Sequence, residues 1–117
     1  MLRITSEDVS TVFWKGLPGI KNLEGREVAA FMAVMASIVR TYETVHFEQI
    51  EGRFESPMYA AWLSQLVDLF GHEGMRDYWR LRRHNFSPEF VEFLEGKLEN
   101  DPYQEMYPLG TYANPGG

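Results

Sequence analysis

Residues 23–52 read LEGREVAAFMAVMASIVRTYETVHFEQIEG. Within them Val28, Phe31, Met35, Ile38, Tyr42 and Val45 recur at spacings of 3, 4, 3, 4 and 3. That repeat puts an apolar seam along one side of an α-helix. Ala29, Ala30, Ala33 and Ala36 favour the helix and let a neighbour come close. Gly25 is a weak point near its start. Gly52 predicts its end, as a left-handed residue just beyond the last turn. The spacing thus predicts a helix over 23–50. Its longest uncharged apolar run, Val28–Val39, is 12 residues between Glu27 and Arg40. Such a run spans about 18 Å as helix, whereas a bilayer core of ~30 Å takes ~20 residues. The segment reads as a core helix, and no transmembrane span of the chain's own is expected.

Four further helices are predicted around this one. The first runs over Ser6–Trp14, with Thr5 or Ser6 as N-cap and Glu7 and Asp8 at the positive end of the helix dipole. Val9, Val12 and Phe13 form its apolar stripe, and Gly16, Pro18 and Gly19 stop it. The third starts at Ser56-Pro57, carries Tyr59, Trp62, Leu63, Leu66, Val67 and Phe70, and ends at Gly71. The fourth, Glu73–His84, sets Met75, Tyr78 and Trp79 on one side and Arg76, Arg80 and Arg83 on another. The fifth repeats the start signal at Ser87-Pro88 and buries Phe90, Phe93 and Leu94, with Leu98 extending the stripe. Phe86 and Val91 are placed to staple its entry. The expected fold is all-α: an antiparallel bundle of about five helices, with residues 1–99 as one domain and 100–117 as an irregular Pro, Gly and Tyr tail.

Composition fits this reading. The 117 residues are 44% hydrophobic and include 17 aromatics but no cysteine. Each aromatic buries roughly 150–250 Å², so a core forms without metal or disulfide staples. The missing cysteines exclude thiol catalysis, iron–sulfur clusters and cysteine zinc sites. A net charge of −6 disfavours nucleic acid as a partner, because phosphate binding needs clustered positive charge. Met1–Asp8 has no apolar run and turns acidic early, unlike a signal peptide. The expected location is cytoplasmic, with membrane association only through a partner or a missing segment.

Two constellations carry chemistry. Glu43 and His46 form a Glu-x-x-His pair on one helix face, which could hold a metal. Di-iron bundles use two such motifs plus two further glutamates, and this chain has only one. The pair therefore reads as structural or solvated, with Glu43 a candidate buried polar residue should it pair with an arginine, for which Arg76, Arg80 and Arg82 are the candidates. The alternative is a metal-dependent or acid–base hydrolase centred on Glu43 and His46. The second constellation is basic and aromatic: Arg76, Tyr78, Trp79, Arg80 and Arg83, the candidate binding residues for an acidic partner or a membrane surface. Against it stands internal pairing, since Glu89–Glu105 holds six acids and one lysine. No phosphate loop, nucleophile elbow, catalytic set or small-molecule site is recognisable, and no cofactor is expected.

The helix end Phe47–Gly52, Trp62, the run Phe70–Trp79 and the element Phe86-Ser87-Pro88-Glu89-Phe90 together resemble a widespread bacterial helical domain of unknown function. The resemblance covers about Val9 to Leu98. It implies the helical fold and a place next to the membrane, because in that family the domain commonly follows N-terminal transmembrane helices. It implies no activity. The functional expectation is a non-enzymatic protein-interaction or regulatory module, bound to a protein partner or to itself.

Overall fold

The computed structural model describes residues 6–53, 56–100 and 106–107. Five α-helices follow in order: α1 Ser6–Gly16, α2 Gly25–Ile50, α3 Ser56–Leu69, α4 Glu73–Arg82 and α5 Pro88–Asn100. Short 3₁₀ turns at Ile20–Asn22 and Arg83–Asn85 complete the path, and no strand occurs among the described residues. The all-α bundle is the observed fold. Of the expected tail only Asn100, Met106 and Tyr107 are described, and the Thr5 cap also lies outside the described residues.

Helix α2 organises the rest. It starts two residues later than the periodicity predicts, because Glu24 serves as N-cap and exchanges hydrogen bonds with Glu27 in a capping box. Gly25 is its first residue, at φ +32°, so this glycine occupies the helix entrance and not its interior. The C-terminus ends as expected. Gly52 takes φ +83°, its N–H bonds the Gln49 carbonyl, and the Arg53 N–H bonds the Glu48 carbonyl. This is the paired arrangement of a left-handed helix stop.

The buried face of α2 consists of Phe31, Met35, Val39, Tyr42, Glu43 and His46. Val28, Ile38 and Val45 of the expected seam are only half-buried. The physical cause is the helix period. At 3.6 residues per turn a strict 3.5 repeat drifts round the helix, and here the bundle covers a band of positions 4, 4, 3 and 4 apart, from Phe31 to His46. By length and composition alone α2, 26 residues with an 18-residue stretch of mean hydropathy 1.3, is long and apolar enough to cross a membrane. The core helix of a bundle passes the same test of length and composition, and α2 carries Arg40 and Glu43 beyond the 12-residue run. Those polar groups, however, bond to other helices of the bundle, as described below.

Helices α1 and α2 form an antiparallel hairpin. Lys15 pairs with Glu27 at 2.9 Å at one end, and Val9 lies beside Ser37 and Ile38 at the other. The turn between them rests on the start of α4. The Gly74 N–H donates to the Leu17 carbonyl at 2.7 Å, and the Ile20 N–H donates to Asp77 Oδ2 at 3.0 Å. A Cβ on Gly74 would overlap the Gly16 carbonyl, so only glycine fits there. Tyr42 stacks on Trp62 of α3 at 4.0 Å between ring centroids. Phe86 stacks on Trp79 at 5.6 Å and approaches Phe90 at 6.3 Å. The entry of α5 is thus anchored by α4 and by its own Phe90, with Val91 half-buried against the core.

Candidate functional site

Glu43 and His46 share the inner face of α2, as their i, i+3 spacing requires, but each already has partners. Glu43 is 8% exposed. Its Oε1 accepts from Arg40 Nη1 at 2.5 Å and its Oε2 accepts the Ser87 N–H at 2.8 Å. Arg40 also donates to the Asn85 carbonyl at 3.1 Å and lies over the Phe86 ring at 4.3 Å. One carboxylate therefore locks the α4–α5 connection onto α2. The arginine is Arg40, not Arg76, Arg80 or Arg82. Its Arg-x-x-Glu spacing to Glu43 was visible in the sequence. Ser87 in turn caps α5, with its Oγ accepting the Phe90 N–H at 3.3 Å.

His46 is 5% exposed and sits among Phe47, Tyr59, Phe90 and Phe93, with the Phe93 ring 4.4 Å away. Its Nδ1 is 3.0 Å from the Tyr59 hydroxyl. Burial lowers its pKa below 6.5 against the opposing pull of Glu89 and Glu43. The same burial pushes the Tyr59 phenol up to about 12. The imidazole is consequently neutral at pH 7 and serves as a polar core residue. Among the described residues no group of three or more His, Asp or Glu is arranged to hold a metal ion. The Glu43–His46 pair joins helices through these bonds.

The basic–aromatic strip is also rearranged. Tyr78 and Trp79 are buried, so the aromatic half of the strip lies in the core instead of on the surface. The reason is spacing: Met75, Tyr78 and Trp79 are i, i+3 and i+4, the inward face of α4. Trp79 Nε1 donates to Glu95 at 2.9 Å, and Arg83 grips the same carboxylate at 2.6 and 2.7 Å. These bonds, with Arg83's first, hold the Glu95 carboxyl below its usual range despite partial burial. Arg80 pairs with Asp77 at 3.3 Å, and Arg76 donates to the Phe70 carbonyl at 2.6 Å, capping the end of α3. Internal pairing thus takes up Arg76, Arg80 and Arg83.

A second histidine carries a contact that the sequence did not signal. His72 is 1% exposed, and its Nε2 accepts the Tyr107 N–H at 3.2 Å. Tyr107 also packs edge-on against Phe13 and Trp14, at 5.9 and 5.0 Å. A segment 35 residues downstream is thereby fastened to α1 and to the start of α4.

The face of α2 opposite the core is left open. Arg26, Ala33, Ser37, Thr41 and Thr44 are exposed, and Ala30, Val34 and Ile38 are half-buried. With Val9 of α1, residues Ala30, Ala33, Val34, Ser37 and Ile38 line a groove of about 340 Å³. The Thr41 and Thr44 hydroxyls donate to the Ser37 and Arg40 carbonyls of their own helix, at 2.9 and 3.0 Å. Their donors are satisfied locally, so this face presents chiefly methyl groups and small side chains. Sequence reasoning counted these alanines as helix formers and as a close-packing surface without locating that surface outside the bundle.

Comparison of the chain with known protein families, with curated proteins and with solved structures gave no match.

Proposed function

We propose that this chain is a protein-interaction module without chemistry of its own, and that the outer face of α2 with the adjoining groove is its contact surface. One observation carries the reading. The longest helix of the bundle leaves a groove of about 340 Å³ open along its outer side, lined by Val9, Ala30, Ala33, Val34, Ser37 and Ile38. Apolar concavities on an exposed helix face suit a partner helix or an apolar edge. The non-enzymatic part is supported by the roles of Glu43 and His46, whose polar atoms bond Arg40, Ser87 and Tyr59. A catalytic acid or base needs a free path to substrate.

The test is site-specific photo-crosslinking in cells. A crosslinker at Ala33 should give discrete adducts, while one at Glu92 or Glu99, exposed on α5, should not. Equal labelling from both faces would overturn the assignment of the surface.

A further inference from the structure

We infer that the occupant of this face is a second copy of the same chain, packed antiparallel along α2 about a two-fold axis at Ser37. The inference rests on the proposed contact surface and names its partner.

One row along α2 runs Arg26, Ala30, Ala33, Ser37, Thr41, Thr44 and Glu48, of which Ala30 and Glu48 are half-buried and the other five exposed. Their spacings are 4, 3, 4, 4, 3 and 4, which read the same in both directions. An isologous dimer needs that property, because each residue must meet its symmetry counterpart. Reversed about Ser37, the row sets Ser37 against Ser37, Ala33 against Thr41, Ala30 against Thr44 and Arg26 against Glu48. Every central pair is small, so two backbones can approach closely. The two outer pairs are of opposite charge.

The charges at the ends are available for this. Arg26 has no ion-pair partner among the described residues. At the other end Arg53 pairs with both Glu48 and Glu51, so one cation serves two carboxylates and a negative charge is left over. Two copies side by side therefore bring an unpaired cation to an undercompensated anionic cluster, twice. Helix dipoles oppose one another in the same arrangement, which is favourable. From Arg26 to Glu48 the contact is about 33 Å long. One helix pair with the flank of α1 makes a small interface, so a dissociation constant of roughly micromolar order is expected.

The experiment is sedimentation velocity of the full chain over a wide concentration range, on the native protein and on Arg26→Glu, Glu48→Arg and the double swap. Circular dichroism checks that each variant keeps its helices, and both positions changed lie outside the core. The native chain should show a monomer–dimer equilibrium. Each single swap should weaken it roughly tenfold or more by placing like charges in contact. The double swap should restore it, because both pairs are re-formed with signs exchanged. A dimer whose affinity ignores both single swaps overturns the antiparallel register. A chain that stays monomeric at every concentration overturns self-association. In that case discrete adducts of the Ala33 crosslinker with another protein leave the contact surface standing, and their absence removes it as well.

Discussion

The Glu43 carboxylate accepts the Ser87 backbone N–H at 2.8 Å across 44 residues of sequence. The same side chain holds Arg40, which reaches the Asn85 carbonyl, so one buried acid fixes where α5 begins relative to α2. Glu43→Ala should lower stability by about 3 kcal/mol, since it leaves a buried N–H and an arginine without their partner. Glu43→Gln keeps an acceptor for Ser87 and should cost about 1 kcal/mol. Urea unfolding of the three proteins measures both. Equal losses for the two variants would mean that shape, not hydrogen bonding, matters at this position.

Gly74 tolerates no side chain. Its Cβ would collide with backbone, the Gly16 carbonyl, which cannot rotate away. Gly74→Ala should cost about 3 kcal/mol from overpacking. Gly96, with open space around it, is the control: Gly96→Ala in the middle of α5 should stabilise by roughly 0.5–1 kcal/mol. Thermal denaturation distinguishes the two signs.

His46 makes stability depend on pH. Its folded pKa lies below the unfolded value of 6.5 because burial opposes the charged ring. Between the two values the unfolded chain binds more protons, so stability rises with pH in that window. It is fully present above 6.5 and falls as pH drops below 6.5 toward the folded value. The melting temperature should decline between pH 7.5 and 5.5, and the His46 ring should titrate below 6.5 by NMR. A ring that titrates above 6.5 would contradict the burial argument.

Arg83 and Trp79 share Glu95 but differ in worth. Arg83 is on the surface, and Arg83→Ala should cost no more than ~1 kcal/mol. Trp79→Ala removes a buried ring stacked on Phe86 and should cost ~3–5 kcal/mol. The Glu95 carboxyl should titrate higher in Arg83→Ala, because its largest stabilising bond is gone. Denaturant unfolding and carboxyl NMR measure the two effects separately.

Tyr107 reports on the downstream segment. It stands 5.0 Å from Trp14, so Tyr107→Ala should alter tryptophan emission while far-UV dichroism stays the same. Unchanged emission would show that this contact is not kept in solution.

Much of the fold was legible because its signals are local. Gly52, Ser87-Pro88 and the inward row Met75, Tyr78, Trp79 each act within a turn or two of helix, and each takes the predicted place. The capping box at Glu24 was missed because glutamate is a rare N-cap. The site was less legible because its contacts are long-range. Glu43 was picked out as a buried acid, yet its partner Ser87 is 44 residues away and its arginine only three. His46–Tyr59 and His72–Tyr107 depend on how α3 and the downstream segment dock, which no spacing rule contains. On and after α4 the strip divides: Tyr78 and Trp79 turn into the core, Arg80 pairs with Asp77 of its own helix, and Arg83 reaches Glu95 of α5.

The turn after α1 has a consequence for synthesis. The Leu17 carbonyl and the Ile20 N–H find their partners on Gly74 and Asp77, the latter 57 residues later in the chain. The α1–α2 hairpin precedes those residues in the chain and emerges from the ribosome ahead of them. Until α4 has emerged, its connecting turn must be satisfied by water, and the N-terminal half stays an unfinished clasp that the C-terminal half closes.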